Sequence, residues 1–217
     1  MENQARTANC RCMRNERFEG FVQEWLRNPG RVLEIGYGDG ELTRFLAAHG
    51  HEVVAIDPQG EDRPPYARTS FEDFAAPERS FSAIVASRSL HHIPDLSAAL
   101  QKMAGLLDSS GVVLINEYGW ERFDMRTASW LLKFRPNFAD PGELFAEWTA
   151  ELSDLHTSLA MRAALDALFD ERAFSWQPHL SAEFRDSLSE RLEIDAIDRG
   201  EISPLGFFYA GALQDVG

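Results

Sequence analysis

Cysteine is nearly absent: the 217 residues include two, Cys10 and Cys12. One CxC pair cannot supply the four ligands of a structural zinc site, and no other cysteine exists to complete it. The pair therefore reads as reduced thiols in a cytosolic protein. Long apolar runs are missing too. No stretch approaches the roughly 20 residues a membrane helix needs, so no membrane association is expected. The polar start MENQARTAN lacks signal-peptide character, and the expected location is cytoplasmic. Positive charge is scarce, with 21 basic residues against 35 acidic ones and a net charge of −14. Such a surface repels phosphate backbones, so nucleic acid is not an expected partner. No H-x-x-x-H pair or His/Cys cluster points to a metal. There is no internal repeat and no low-complexity tract.

What is present is an alternation of strands and helices. Residues 1–13 read as disordered and 14–28 as a helix, with Phe18, Phe21, Val22 and Trp25 at spacings of three and four. Val32–Ile35, Glu52–Asp57, residues 66–70, Phe81–Ala86 and Val112–Asn116 read as strands. Between them lie a helix at Glu41–His49, stopped by Gly50, and one that Asp95 caps, carrying Leu96, Leu100, Met103 and Leu107. Strands that are continuous apolar runs between helices indicate a parallel sheet covered on both faces. From 119 to 170 the pattern changes to a helical stretch rich in aromatics, including Trp120, Phe123, Trp130, Phe134, Phe138, Phe145 and Trp148. A strand at Ala173–Trp176, a helix around 182–198 and a strand at Gly206–Ala210 complete the chain. The expected fold is α/β, a doubly wound and mostly parallel seven-stranded sheet. Residues 14–217 form one domain, with 119–170 inserted after the fifth strand. Ligands of open α/β sheets bind at the carboxyl ends of the strands, so the insertion reads as a substrate cover. Its aromatics fit an acceptor pocket or an additional core equally well.

The sharpest local feature is Glu34-Ile35-Gly36-Tyr37-Gly38-Asp39-Gly40. A buried strand ends in a carboxylate, and three alternating glycines then clear the backbone for a ligand and a sharp turn into a helix. A carboxylate two positions before the first glycine would oppose a diphosphate but suits a cationic ammonium group. Asp57 ends the next strand, 17 residues after Gly40 and just before Pro58, where a carboxylate can accept both hydroxyls of a ribose. Farther on come Ser70-Phe71-Glu72 and then Ser87-Arg88-Ser89-Leu90-His91-His92-Ile93-Pro94-Asp95.

Taken in order over residues 31–117, these segments resemble class I S-adenosylmethionine-dependent methyltransferases. The glycine turn is similar to the family's E-x-G-x-G-x-G motif, and the histidine segment resembles its S-x-L-H-H-x-P-D pattern. The resemblance implies S-adenosylmethionine as cofactor, with Glu34, Gly36, Tyr37, Gly38, Gly40, Asp57, Pro58, Ser87 and Arg88 around it. Ser70 stands where the family commonly has an adenine-binding Asp, leaving Phe71 as apolar surface and Glu72 or the backbone as the hydrogen-bonding group. A small-molecule acceptor is the expected partner, with oxygen as the methylated atom and nitrogen or carbon as alternatives. Transfer to oxygen requires removal of a proton, for which His91 and His92 are candidates beside Glu117 at the end of the fifth strand. His156 is a further candidate base, read as lying in the first turn of a helix capped by Ser153 or Asp154. His179 reads as structural or exposed. Arg162 is expected either to bind an acidic substrate or to pair with Asp166 at i+4. A homodimer is the expected assembly if the chain oligomerises. An NAD(P)-linked oxidoreductase lacks its G-x-G-x-x-G and Tyr-x-x-x-Lys signatures here. A protein that binds the cofactor without catalysis is the remaining alternative.

Overall fold

The computed structural model describes residues 15–214; Cys10, Cys12 and the expected N-terminal disorder lie outside them. The chain enters through α1 (Glu16–Trp25), which begins where the Asn15 side chain accepts the Phe18 N–H. Then follow β1 (Arg31–Ile35), α2 (Glu41–Ala48), β2 (Glu52–Ile56), β3 (Tyr66–Ala67), β4 (Phe81–Ser87), α3 (Leu96–Leu106) and β5 (Leu107–Tyr118). After these come α4 (Met125–Leu131), α5 (Pro141–Leu152), α6 (Ser158–Asp166), β6 (Phe169–Gln177), α7 (Leu180–Glu183), α8 (Glu190–Asp198) and β7 (Gly206–Leu213).

The strands form one seven-stranded sheet in the order β3-β2-β1-β4-β5-β7-β6. All neighbours pair in parallel except β7, which is antiparallel to both β5 and β6. This is the mostly parallel, doubly wound sheet that the alternating pattern predicts. Period-2 alternation sends successive residues to opposite faces. On one face Leu33, Ile35, Ile84 and Ile115 pack with Leu100 and Met103 of α3 and Met161 and Leu165 of α6. On the other, Val32, Val53, Val85 and Leu114 pack with Phe18 and Val22 of α1 and Leu46 of α2.

Three local expectations differ from the structure. The third strand is two residues long; Ser70 instead closes a turn, its Oγ accepting the Asp73 N–H at 3.1 Å. The helix expected over 182–198 is split, because Ser189 caps a fresh start at α8. The aromatic stretch does not pack as one body. Its last helix, α6, belongs to the main sheet face. The remainder forms a separate core in which Phe123, Trp130, Leu144 and Trp148 meet Leu180, Ala196, Ile202 and Leu205 from the segment between β6 and β7. Phe123 stacks on Trp148 with centroids 4.6 Å apart, so these aromatics are chiefly core.

Candidate functional site

The glycine turn lies between the ends of β1 and β2. Gly36, Gly38 and Gly40 all have left-handed backbones, with φ of +75°, +55° and +74°, the region in which a side chain is costly. Their surroundings differ. A Cβ on Gly36 would stand 2.0 Å from Ser89 Oγ, and one on Gly40 would stand 2.5 Å from the Tyr66 hydroxyl. A Cβ on Gly38 would meet nothing within 4 Å. Gly38 is thus the point at which bare backbone faces open space. Its N–H donates to Asp57 Oδ2 at 3.1 Å, and the Gln59 N–H donates to Asp57 Oδ1 at 2.8 Å. A carboxylate has about four acceptor sites, so Asp57 keeps capacity for two further donors.

Glu34 does not stand open beside the turn. It is 2% exposed, beneath the loop, and Thr43 Oγ1 of α2 donates to its Oε2 at 2.6 Å. Burial pushes its carboxyl up to about 7; the Thr43 hydrogen bond opposes this and the Asp39 charge adds to it.

The segment after β4 is held from β5. Glu117, 1% exposed, accepts the N–H groups of Ser89 and Leu90 on Oε1, both at 2.7 Å, while its Oε2 lies 2.6 Å from His91 Nδ1. His91 is itself buried, and its ring lies 4.1 Å from that of His92 and edge-on to Tyr118 at 4.9 Å. His92 is the more exposed of the two; surrounding protein and then neighbouring His91 push its pKa below the usual range. Ser87 Oγ accepts from Asn116 Nδ2 at 2.9 Å. Arg88 has the left-handed φ of +51°, uncommon for a residue with a side chain. Such strain collects at the ends of strands that carry function. In chemical terms, the buried pair can hold one imidazole tautomer with Nε2 as a proton acceptor.

A family model described as a methyltransferase domain matches residues 5–176. The chain belongs to the methyltransferase domain family. Among its curated relatives, an uncharacterized methyltransferase of Staphylococcus carnosus is 39% identical over 95 residues, covering 40% of this chain and 46% of the relative. A ubiquinone biosynthesis O-methyltransferase of Xanthomonas campestris is 33% identical over 111 residues, covering 44% and 46%. The chain thus spans about half the length of these relatives. Among solved structures, the N-methyltransferase NodS of Bradyrhizobium japonicum, in complex with S-adenosylhomocysteine, has a TM-score of 0.58 at 15% identity, covering 92% of this chain and 87% of that one. The Burkholderia thailandensis 1,6-didemethyltoxoflavin-N1-methyltransferase has a TM-score of 0.57 at 15% identity, covering 98% and 80%. Both share the fold.

Several expected site residues of this methyltransferase domain are placed differently from their sequence reading. Tyr37 turns inward, its ring 4.6 Å from that of Tyr66 and its hydroxyl donating to the Glu61 carbonyl. Phe71 is buried in the main core, and Lys102 Nζ donates to the carbonyls of Phe71 and Glu72. Pro58 is exposed at the start of the turn after Asp57. His156 precedes its helix, because the cap of α6 is Thr157 and not Ser153 or Asp154. Its Nε2 instead lies 2.8 Å from the Ile93 carbonyl, and its backbone N–H donates to the His91 carbonyl. Arg162 does make the expected i,i+4 pair with Asp166, at 3.7 Å, and pairs also with Glu171 at 2.8 Å. Ser89 stands directly before Leu90, so the histidine segment follows its pattern from Leu90 onward. An open cleft of about 400 Å³ adjoins Gly38, lined by Tyr37, Asp39, Arg44, Gly60 and Tyr66. The histidines are not among its walls, so it is a groove beside the turn. Among the described residues, no group of three His, Cys, Asp or Glu is placed to hold a metal, and no helix is long and apolar enough to cross a membrane.

Sequence reasoning missed Thr43, Asn116, Tyr118 and Asp73. Asn116-Glu117-Tyr118 closes β5, and position at a strand's carboxyl end was a usable signal for the first and third.

Glu34 has a testable consequence. Its folded pKa is raised, so the folded chain holds a proton that the unfolded chain releases. This contribution to stability is fully present below about pH 4.5 and is lost as pH rises through about 7. The loss is on the order of 3 kcal/mol at its upper limit. Glu34→Gln, which retains an acceptor for Thr43, is expected to flatten this slope and to be more stable than wild type at pH 8. Urea midpoints at pH 5 and pH 8 measure it; parallel slopes for the two proteins would show that Glu34 does not titrate in this window.

Proposed function

We propose that this chain transfers a methyl group from S-adenosylmethionine to an oxygen atom of a small-molecule acceptor, with His91 as general base and Glu117 as the group that orients it. The observation that carries the reading is the buried 2.6 Å contact between His91 Nδ1 and Glu117 Oε2 at the carboxyl end of the sheet. The open backbone at Gly38 supports the cofactor part: it is a cradle that any side chain would fill.

The cofactor, when bound, supplies a methyl group on a positively charged sulfur that leaves as a neutral thioether. The backbone of Gly36 to Gly38 and the remaining lone pairs of Asp57, suited to two ribose hydroxyls, would hold it. Glu34 acts from beneath the turn through its charge, which a cationic ligand stabilises. Glu117 accepts Nδ1–H of His91, so Nε2 is the free base. His91 Nε2 would take the proton of the acceptor hydroxyl, and Glu117 would stabilise the resulting imidazolium. His156 pins the segment after β4 through the Ile93 and His91 carbonyls. The helical core built from α4, α5 and the 180–205 segment serves as the acceptor cover, which excludes water. The ubiquinone biosynthesis relative suggests hydroxylated aromatics as the first acceptors to try.

Calorimetric titration is expected to show S-adenosylhomocysteine binding and no response to NADH. Labelled cofactor with catechol or 3,4-dihydroxybenzoate then tests transfer. Absence of S-adenosylhomocysteine binding at saturating dose would remove the basis of the reading.

A further inference from the structure

His179 lies two residues beyond the end of β6, on the segment that leads into α7. It is 5% exposed, and its ring stacks on Tyr118 with centroids 3.9 Å apart and planes 10° from parallel. Tyr118 is the last residue of β5, and its ring meets His91 edge-on. The fold fixes this histidine firmly. Glu193 of α8, fully buried, accepts the N–H groups of His179 and Leu180 on Oε1 at 2.7 and 2.9 Å, and that of Ser181 on Oε2 at 2.7 Å. Glu117 holds His91 by the same means, a buried carboxylate on a neighbouring element that clamps the first N–H groups of a short turn.

The ring of His179 nevertheless has an unmet need. Its Nε2 is buried and has no hydrogen-bond partner among the described residues. Buried polar atoms are almost always paired, and an orphan one calls for an explanation, such as a bound water, an ion or a functional role. Burial drives the imidazole well below its usual pKa, and the charges of Arg88 and His91 add to this. His179 is therefore neutral, and its electrostatic neighbours stand on the segment after β4. A carboxylate clamp and a stacked ring thus hold an orphan nitrogen one ring removed from the candidate base. An apolar ring would fill the same space without the cost of an unmet hydrogen bond.

We propose that His179 binds the acceptor: its Nε2 hydrogen-bonds a second polar atom of that molecule, so that the oxygen to be methylated is presented to His91. This rests on the acceptor reading given above and adds to it that the acceptor carries two polar groups. A site built to hydrogen-bond such a group rejects analogues that lack it.

Two measurements on His179→Phe and His179→Gln test this. The first needs no acceptor. Phenylalanine keeps the stack on Tyr118 and removes the orphan nitrogen, so its melting temperature with S-adenosylhomocysteine bound should rise by roughly 2–4 °C, with affinity for that ligand unchanged. A lower melting temperature would make the imidazole a structural group and overturn the proposal. The second uses methyl transfer to catechol and 3,4-dihydroxybenzoate. For His179→Phe, kcat/KM should fall roughly 10- to 100-fold, chiefly through KM. Glutamine, whose amide reaches the Nε2 position, should recover most of that loss. Equal rates for wild type and His179→Phe would overturn the proposal. If wild type binds S-adenosylhomocysteine yet methylates neither probe, the acceptor class proposed above fails, and the melting comparison alone decides the role of His179.

Discussion

His91→Ala is expected to slow methyl transfer by about a hundred- to ten-thousand-fold, the range of a lost general base, while S-adenosylhomocysteine affinity stays within roughly threefold of wild type. The companion variant, Glu117→Gln, tests the coupling. Glu117 serves three donors with two oxygens: the Ser89 and Leu90 N–H groups on one and His91 Nδ1 on the other. A glutamine has a single acceptor oxygen, so either the two backbone groups lose their acceptor or the amide NH2 faces His91 Nδ1 and forces the imidazole proton onto Nε2. Leaving a buried donor without its acceptor costs about 1–3 kcal/mol, and the loss should appear as a lower denaturation midpoint together with reduced transfer. Because the two residues act as a unit, the double variant should be little slower than His91→Ala alone. Single-turnover rates of the four proteins measure this. Multiplicative losses would mean that the pair does not work as one group.

The glycine turn yields the second large effect, through a contrast between positions two residues apart. At Gly38 a Cβ meets open space, so Gly38→Leu should fold, at a cost of about 1–2 kcal/mol for its left-handed backbone. The side chain fills the cradle, and S-adenosylhomocysteine binding should fall below detection in calorimetry. Gly36→Leu meets Ser89 Oγ at 2.0 Å, and that hydroxyl donates to the carbonyls of Ile35 and Ser87. There the substitution breaks the join between β1 and the segment after β4, and a loss of about 3 kcal/mol or more is expected. Binding lost with the melting temperature nearly intact identifies Gly38 as a ligand surface. Retained binding in Gly38→Leu would place the ligand elsewhere.

Much of the site was legible because its signals are local. Glu34, the three glycines and Asp57 announce a strand end, a turn and a second strand end within 24 residues. The caps were legible for the same reason: Asp95 accepts the Ala98 N–H, as its place before Leu96 indicates. What failed also failed for physical reasons. Residues 66–70 carry little strand pattern because β3 is a two-residue edge strand. His156 was misplaced because Ser153, Asp154 and Thr157 are all competent caps, and only the path of the chain selects among them.

The sequence by itself determined the order of strands and helices, the two-faced sheet and the backbone geometry of the glycine turn, since these depend on near neighbours and on the period of the apolar residues. Only the tertiary structure decided which carboxylate serves which histidine. Glu117 and His91 are 26 positions apart, Glu193 and His179 are 14 apart, and Tyr118 at the end of β5 meets His179 from the segment after β6. Likewise, the aromatics after β5 find their partners beyond β6. Such pairings are set by how the strands are ordered in the sheet, and no local pattern encodes that order.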